Sequence, residues 1–426
     1  MKIRIRNGRV VDPASGFDDT ADVYVDGELI AAFGRRPRDF TANRDIDASG
    51  CVVCPGFTEL GARLREPGAE HKATIASELA AAASGGFTTV CCTPDTNPVV
   101  DTPAVVELIN QRARGVRGAR VRCIGALTQD LGGAILAEMH ALKTIGCVGV
   151  SNAGFAVRDT SVLKNALAYA ATLGLTVFLD AEDPWLGAGG VMHEGATSTR
   201  TGLAGIPAAA ELIGLARDLV LVGETGVRAH FRTLSTAQAA NYLRDARKAG
   251  LAVSADVGIA HLHLTDRDIA NYDSACHVRP PLRSARDRDG LRRALARGRI
   301  DALSAHHEPH DADAKAAPFA ASAPGISGFD TFLPLVLDLV RGGAIELAGA
   351  LAAASVAPAR ILGLPGNGLA PGAVADICIF DPERRWTVDH ATLRSQGHNT
   401  PFLGQELRGR VTLTLVGGRI VHDLNA

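Results

Sequence analysis

Two groups of residues in this 426-residue chain have side chains suited to chemistry. The first is a set of histidines, and imidazole is a common metal ligand. These are His261, His263, His306, His307 and His310. The second is the loop Arg65-Glu66-Pro67-Gly68, which follows a short apolar segment. Two questions follow: whether the histidines converge on a metal ion, and what the loop is used for.

The segment from Pro55 to Asp101 predicts the elements that position this loop. Its order is strand, loop, helix, strand, loop: an alanine-rich helix runs from about Lys72 to Ser84, and the next strand, FTTVCC, is β-branched and apolar. This order is typical of a βαβ unit with parallel strands. The loop then lies at the carboxyl end of a strand, where barrels and open α/β sheets place their chemistry.

The same alternation continues and predicts an α/β fold with a TIM barrel over residues 55–355. Eight segments predict its strands: PGFTEL, FTTVCC, RVRCIGALT, CVGVS, LTVFLDAE, GVRAHFRTL, LAVSADVGI and IDALSAH. Short alternating strands with glycine-rich turns occupy residues 1–54 and again 356–426. We therefore predict one small β-sandwich domain built from both chain ends.

Composition narrows the possible partners. The chain is 46% apolar with a formal net charge of -2, which gives no strong attraction to nucleic acid or to an anionic membrane. The first residues, MKIRIRNGRVVD, lack the apolar core of a signal peptide, and no apolar run reaches transmembrane length. Eight cysteines are too sparse for a disulfide framework. We expect a cytoplasmic protein with small-molecule or protein partners.

The first strand and loop, PGFTELGARLREPG, and the later TPDTNP resemble the signature of bacterial dihydroorotases, which are metal-dependent cyclic amidohydrolases. The resemblance continues through HEGATSTRTGLAGIPAAAE, VRPPLR, ASVAPARILGL and HNTPFLGQELRGRVTLTLVGGRIV, so it covers nearly the whole chain. It implies an amidohydrolase barrel. In such enzymes metal ions polarise the amide carbonyl and make hydroxide from water.

The active-site positions that the resemblance implies are all changed. It places histidines at the positions of Gly61, Arg63, Asp180 and Thr233, and aspartates at those of Asn152 and His306. Glycine has no ligand atom and arginine is a permanent cation. Losing even an outer partner of a metal ligand costs about 10- to 100-fold in affinity or activity. We therefore expect no catalytic residue and no metal at these positions.

Substrate recognition is changed as well. Asp95 and Arg279 replace two asparagines of the family pattern, whereas Arg65 and His310 remain where the family holds its substrate. We interpret these two as vestigial substrate-binding residues.

Within the family, this pattern resembles the non-catalytic, dihydroorotase-like chains of certain bacterial aspartate carbamoyltransferases. The resemblance implies a structural subunit that binds the catalytic carbamoyltransferase chain and supports pyrimidine synthesis without turning over dihydroorotate.

Three alternatives stay open at this point. The chain could be an active cyclic amidohydrolase with an altered zinc centre, acting on dihydroorotate or a hydantoin-like ring. The histidine group, including His261, His263 and His307, could hold a relocated metal. Arg65 and His310 could bind a pyrimidine intermediate in a sensor.

The substitutions also predict an internal contact. Arg63 and Asp180 stand at two positions where the resemblance implies metal ligands facing the barrel axis, so we expect them to form an ion pair, directly or through one water, that replaces metal charge.

Overall fold

The computed structural model describes residues 1–269, 271–364 and 368–425. The strands of the described residues are β1 Lys2–Asp12, β2 Phe17–Asp26, β3 Leu29–Phe33, β4 Arg44–Asp47, β5 Val52–Pro55, β6 Phe57–Ala62, β7 Phe87–Cys92, β8 Arg120–Cys123, β9 Gly125–Ala126, β10 Val150–Ser151, β11 Thr176–Asp180, β12 Met192–His193, β13 Gly205–Ile206, β14 Arg228–Arg232, β15 Val253–Gly258, β16 Ala302–Ser304, β17 Ile377–Thr387, β18 Glu406–Val416 and β19 Arg419–Asp423.

The α-helices of the same residues are α1 Ile75–Ser84, α2 Pro103–Ala113, α3 Met139–Thr144, α4 Thr160–Thr172, α5 Ala196–Thr201, α6 Ala208–Thr225, α7 Ala237–Lys248, α8 Ala285–Ala296, α9 Ala312–Ala316, α10 Phe329–Arg341, α11 Leu347–Ala354 and α12 Val356–Ile361. None of these helices is long and apolar enough to cross a membrane.

Both chain ends contribute to one sheet. Its strand order is β19-β18-β17-β5-β1-β2-β3, with β4 beside β1. The junction between the two ends is the antiparallel pair of β5 and β17. Ile5, Val53 and Ile377 are wholly or almost wholly buried in a core of their own beneath this sheet. The alternating strand pattern of the two termini therefore corresponds to one composite β layer.

The central part of the chain forms the barrel, and the predicted fold class is confirmed. Parallel strands β6, β7 and β8 make one run, and β9, β10, β11, β14, β15 and β16 make the other. The third predicted strand is divided into β8 and β9 around Ile124, whose backbone N–H still bonds to the Cys92 carbonyl at 3.0 Å. Every predicted barrel strand is present. Most read as apolar runs because they are buried on both faces.

The amino end of the barrel is filled by residues beyond the predicted boundary at residue 356. Helix α12 packs on β6 and β16. Leu362 joins Leu60, Phe178 and Ala302 in a small apolar cluster inside the barrel. The segment after residue 355 therefore belongs with the barrel before the chain enters the β layer.

Helix α1 links the barrel mouth to the C-terminal segment. It starts at a capping box in which Thr74 accepts a hydrogen bond from the Ser77 backbone at 3.1 Å. Its buried Glu78 lies 2.7 Å from His307 Nε2 and accepts a hydrogen bond from Ser395 Oγ at 2.7 Å. The loop after β16 is thus held by both the helix and residues that follow the barrel.

Glu59 joins the first barrel strand to the last. Its carboxylate accepts hydrogen bonds from Ser304 Oγ at 2.6 Å and from the Ala305 backbone N–H at 2.7 Å. Burial raises the pKa of Glu59 from 4.5 to about 7, even though these hydrogen bonds favour the charged form. The barrel seam therefore contains a carboxyl group that titrates near neutral pH.

We expect Glu59→Gln to change how stability depends on pH. Because the folded pKa lies above the unfolded one, the contribution of Glu59 is fully present below pH 4.5 and is lost as pH rises to about 7. Glutamine resembles the protonated acid, so the wild type should lose about 3 kcal/mol relative to the variant across this window. Urea unfolding between pH 4.5 and 7.5 measures it, with Glu107→Gln on the exposed face of α2 as control. Parallel pH profiles for wild type and Glu59→Gln would contradict the assignment.

Candidate functional site

The barrel mouth brings the predicted active-site positions together. Five of them line a cavity of about 550 Å³, namely Arg63, Asn152, Asp180, Thr233 and His306. Each lies at or just after the carboxyl end of a barrel strand. Gly61, the sixth position, lies within β6 against the side chain of Arg232, which also lines the cavity. The geometric frame of an amidohydrolase site is therefore present, with different side chains on it.

Arg63 binds two carboxylates at the mouth. Its Nε lies 2.6 Å from Asp95 Oδ2, its Nη1 pairs with Glu308, and its Nη2 donates to the Ala153 carbonyl at 3.2 Å. Burial alone would raise the pKa of Asp95, but the charge and hydrogen bond of Arg63, together with Thr93 and Arg65, lower it. The side chain at this implied histidine position is thus a fully engaged cation.

Arg232 is a second cation in the barrel, and the sequence analysis missed it. The residue is 5% exposed, its Nη2 is 3.4 Å from the Gly61 carbonyl, and its Nη1 is 3.7 Å from Asp180 Oδ1. Burial alone would lower its pKa, but the summed charges of nearby acidic groups, chiefly Asp180 and Asp256, raise it. The signal in the sequence is an arginine at the end of a barrel strand, combined with the glycine at position 61.

Gly61 provides the space for this guanidinium. A Cβ atom at position 61 would lie 2.7 Å from Arg232 Nη2 and 3.0 Å from Cζ, which is closer than side-chain carbons approach other atoms. The two residues therefore fit together as a pair. A histidine at position 61, as the family pattern has, requires Arg232 to move.

The predicted direct ion pair between Arg63 and Asp180 is wrong. Arg63 pairs with Asp95 and Glu308, whereas the cation beside Asp180 is Arg232. Both charges face the mouth, but each has a nearer partner of opposite sign.

The side chains at the other changed positions do not form a set of metal ligands. Asn152 uses its amide to join its own loop to the segment after β9, accepting from Thr128 Oγ1 at 2.8 Å and donating to the Leu131 and Phe155 carbonyls. Thr233 donates its backbone N–H to Asp256 at 2.7 Å. Burial, together with the nearby His261 and Arg232, holds the pKa of His306 well below its usual range, so this imidazole is neutral.

Arg65 and His310, the predicted substrate-binding residues, contact each other. Arg65 Nη2 is 2.8 Å from His310 Nε2, and Arg65 Nε donates to the Pro309 carbonyl at 2.9 Å. Lys72 Nζ approaches the other ring nitrogen at 3.3 Å. Burial and these two cations lower the pKa of His310 to about 2. Neither Arg65 nor His310 lines the cavity, while Arg279 lines it and pairs with Glu182.

The histidines do not converge. His261 contacts the Pro280 carbonyl at 2.9 Å, His263 the Leu335 carbonyl at 3.0 Å, and His307 is paired with Glu78. Over residues 1–269, 271–364 and 368–425, no three histidine, cysteine or carboxylate side chains are placed to hold a metal ion. The donor set of the mouth therefore does not fit a divalent metal centre, and the relocated site has no geometric support.

The backbone at the mouth keeps an unusual conformation. Arg65, Ala153, Thr233 and His306 all have positive φ values, between 46° and 65°. Such left-handed residues cost on the order of 1–3 kcal/mol each and cluster at functional sites. Three of these four residues adjoin or occupy changed positions that the resemblance marks, so the strained backbone coincides with the candidate site.

Comparison with known proteins agrees with this frame. A family model described as dihydro-orotase-like matches residues 50–239. The dihydroorotase-like protein of Pseudomonas aeruginosa is 46% identical over 423 residues, covering 99% of this chain and 100% of that protein. The dihydroorotase of Anaeromyxobacter dehalogenans is 45% identical over 424 residues, covering 98% and 97%.

Solved structures show the same architecture. The L-hydantoinase (dihydropyrimidinase) from Arthrobacter aurescens superposes with a TM-score of 0.87 at 24% identity, covering 99% of this chain and 96% of that one. Dihydropyrimidinase from Brevibacillus agri gives 0.85 at 23%, covering 99% and 95%. The fold is thus the amidohydrolase barrel with a β-sandwich domain. Within that class, the chain belongs to the dihydroorotase-like family.

We expect Gly61 and Arg232 to be energetically coupled. Gly61→Ala should destabilise the chain by about 1–3 kcal/mol through overpacking against the guanidinium. In an Arg232→Ala background the same change should cost almost nothing, and urea unfolding of the four proteins gives the coupling energy.

Gly223→Ala is the matched control, because a Cβ there meets nothing nearer than 3.8 Å and the residue lies in helix α6. It should be neutral or stabilise by up to about 1 kcal/mol. Equal losses from Gly61→Ala in both backgrounds would show that the guanidinium does not occupy this space.

Removing Arg63 should leave two carboxylates without their cation, the buried Glu308 and the partly buried Asp95. We expect Arg63→Met to cost about 3–5 kcal/mol in urea unfolding at pH 7. The control is Arg9→Met, whose pair with Asp18 at 2.7 Å is 53% exposed on the arginine side and should be worth no more than about 1 kcal/mol. A similar small loss in both variants would contradict the role given to Arg63.

Proposed function

We propose that this chain is a catalytically inactive dihydroorotase-like protein that acts as a structural, non-catalytic subunit of aspartate carbamoyltransferase in pyrimidine biosynthesis. The observation that carries the first half is the guanidinium of Arg232 over Gly61. With Arg63 it puts two permanent cations where the resemblance implies metal ligands. A divalent ion there meets like charge, and the positions at which the resemblance implies histidines hold none.

The absence of a catalytic group supports the same proposal. A cyclic amidohydrolase needs a carboxylate to move the proton between water and the leaving nitrogen. At the position implied for that carboxylate stands His306, a neutral imidazole that is 7% exposed. Glu308 lies 3.4 Å from His306 Nε2 but is already paired with Arg63.

Relatives of nearly equal similarity bear two different names, dihydroorotase-like protein at 46% and dihydroorotase at 45% identity. Overall sequence similarity therefore does not separate an inactive chain from an active one. Support for inactivity comes from the side chains at the barrel mouth. The proposed partner, aspartate carbamoyltransferase, comes from the resemblance, since the dihydroorotase-like chains with a changed metal centre are its structural subunits in certain bacteria.

An active cyclic amidohydrolase with an altered zinc centre is the competing function. The observation in its favour is the open cavity of about 550 Å³ at the barrel mouth, a volume that admits a small ring. The side chains of the mouth do not favour this function, because among the described residues no three potential ligands are placed to hold a metal ion.

We expect the purified chain neither to bind zinc stoichiometrically nor to hydrolyse dihydroorotate. Elemental analysis after growth in zinc-supplemented medium and a dihydroorotate assay measure this. Gly61→His with Arg63→His should not rescue activity, because four other positions keep their replacements and Arg232 still fills the space. One zinc per chain whose removal by a chelator abolishes measurable turnover would overturn the proposal.

Assembly is the direct test of the structural role. Co-expressed with the aspartate carbamoyltransferase of the same organism, the chain should co-elute with it in a complex larger than the carbamoyltransferase trimer, and omission of the chain should reduce assembly or activity. A fully active carbamoyltransferase trimer that elutes identically with and without this chain would refute the role.

A further inference from the structure

The cavity at the barrel mouth has balanced charges. Five acidic and five basic residues line it. Most are already paired: Arg63 with Glu308, Arg279 with Glu182, and Arg217 with its neighbour Asp218 at 2.9 Å. Within each pair the two charges balance each other, so these side chains have few groups free to bind a ligand.

Arg232 and Asp180 are different. Among the described residues, the guanidinium of Arg232 has a single hydrogen bond, the 3.4 Å contact with the Gly61 carbonyl, although it carries five N–H donors. The carboxylate of Asp180 has no hydrogen bond in the same part of the chain, and its 3.7 Å separation from Arg232 Nη1 is too long for one. Buried guanidinium groups are normally satisfied, so this buried cation has unused donors beside the cavity that it lines.

Two neutral groups border the same place. Thr233 and His306 both line the cavity and both approach Gly258, within 3.4 Å and 3.3 Å of its Cβ position. Arg232 is close enough to His306 to lower the pKa of its imidazole. The neutral imidazole of His306 is thus a further polar group near the guanidinium, in a cavity that Thr233 also lines.

We propose that Arg232 and Asp180 form a binding site for a small zwitterion of the α-amino-acid class. The ligand carboxylate binds the guanidinium, a pairing that this planar group favours. The ligand ammonium binds Asp180. An anion alone would leave Asp180 facing a like charge, and a cation alone would do the same to Arg232. A zwitterion satisfies both and keeps the balance of the cavity.

The size of the cavity is compatible with this class. At about 550 Å³ it falls in the range of small-molecule sites and has room for an amino-acid side chain beyond the charged end. The site is separate from Arg65 and His310, which bind each other outside the lining. The proposed zwitterion site also does not require assembly of the chain with a carbamoyltransferase.

The full-length chain can be tested directly with the twenty common L-amino acids, by thermal shift at millimolar concentration and then by titration calorimetry. For each amino acid that binds, the probe lacking its α-amino group is the comparison, such as succinate for aspartate. We expect at least one amino acid to bind and its des-amino analogue to bind about 10- to 100-fold more weakly, since a hydrogen bond between charged groups is lost.

Variants locate the site. Arg232→Met and Asp180→Asn should each weaken binding about 10- to 100-fold, whereas Arg279→Met, the same type of change at a paired lining arginine, should leave it within about threefold. The Asp180 side chain is 30% exposed, so we expect Asp180→Asn to fold normally. Circular dichroism of the variant checks this. Absence of binding by every amino acid, equal binding of the des-amino analogue, or binding unchanged in Asp180→Asn would each overturn the proposal.

Discussion

A guanidinium group inside a barrel needs space as well as opposite charge, and the packing of Arg232 on Gly61 supplies the space. Without a side chain at position 61, Nη2 lies near the Gly61 carbonyl at 3.4 Å. Asp180, Asp256, Asp95 and Glu59 provide the charge that keeps this arginine protonated. The place where the resemblance implies metal ligands thus holds an organic cation, which balances the charge of the acidic groups around it.

The rest of the mouth is held by contacts that do not involve the changed positions. His307 is stacked on Phe329 at 3.9 Å between ring centroids and paired with Glu78 of helix α1. Asn399 from the C-terminal segment donates to the Glu308 and Gly325 carbonyls at 2.9 and 3.0 Å. Because these contacts fix the loop after β16, Glu308 stays in place to receive Arg63. Contacts outside the changed positions are therefore sufficient to fix this loop.

The barrel strands were predictable because parallel strands covered on both faces appear as short apolar runs separated by helical segments. The composite sheet was predictable because both termini show the same alternation of charged and apolar residues. The division of the third strand at Ile124 was not, since neither composition nor periodicity changes there.

The site was predictable only in part. Motif positions identified which residues ring the mouth, and Arg63 and Asp180 are both there. Which carboxylate each arginine meets depends on side-chain reach and direction at the strand ends, and a single sequence does not contain these. Arg232 was overlooked because it lies one residue before the position that the family pattern marks, and only the geometry shows its fit to Gly61.

The central claim is that guanidinium groups occupy the positions of metal ligands. The most direct measurement is anomalous X-ray diffraction at the zinc edge from crystals of the full chain grown with excess zinc. The account predicts the Arg232 guanidinium over Gly61 and no anomalous peak within bonding distance of Asp180 or His306. An anomalous peak bonded to Asp180 and His306, with Arg232 rotated out of the barrel, would contradict it.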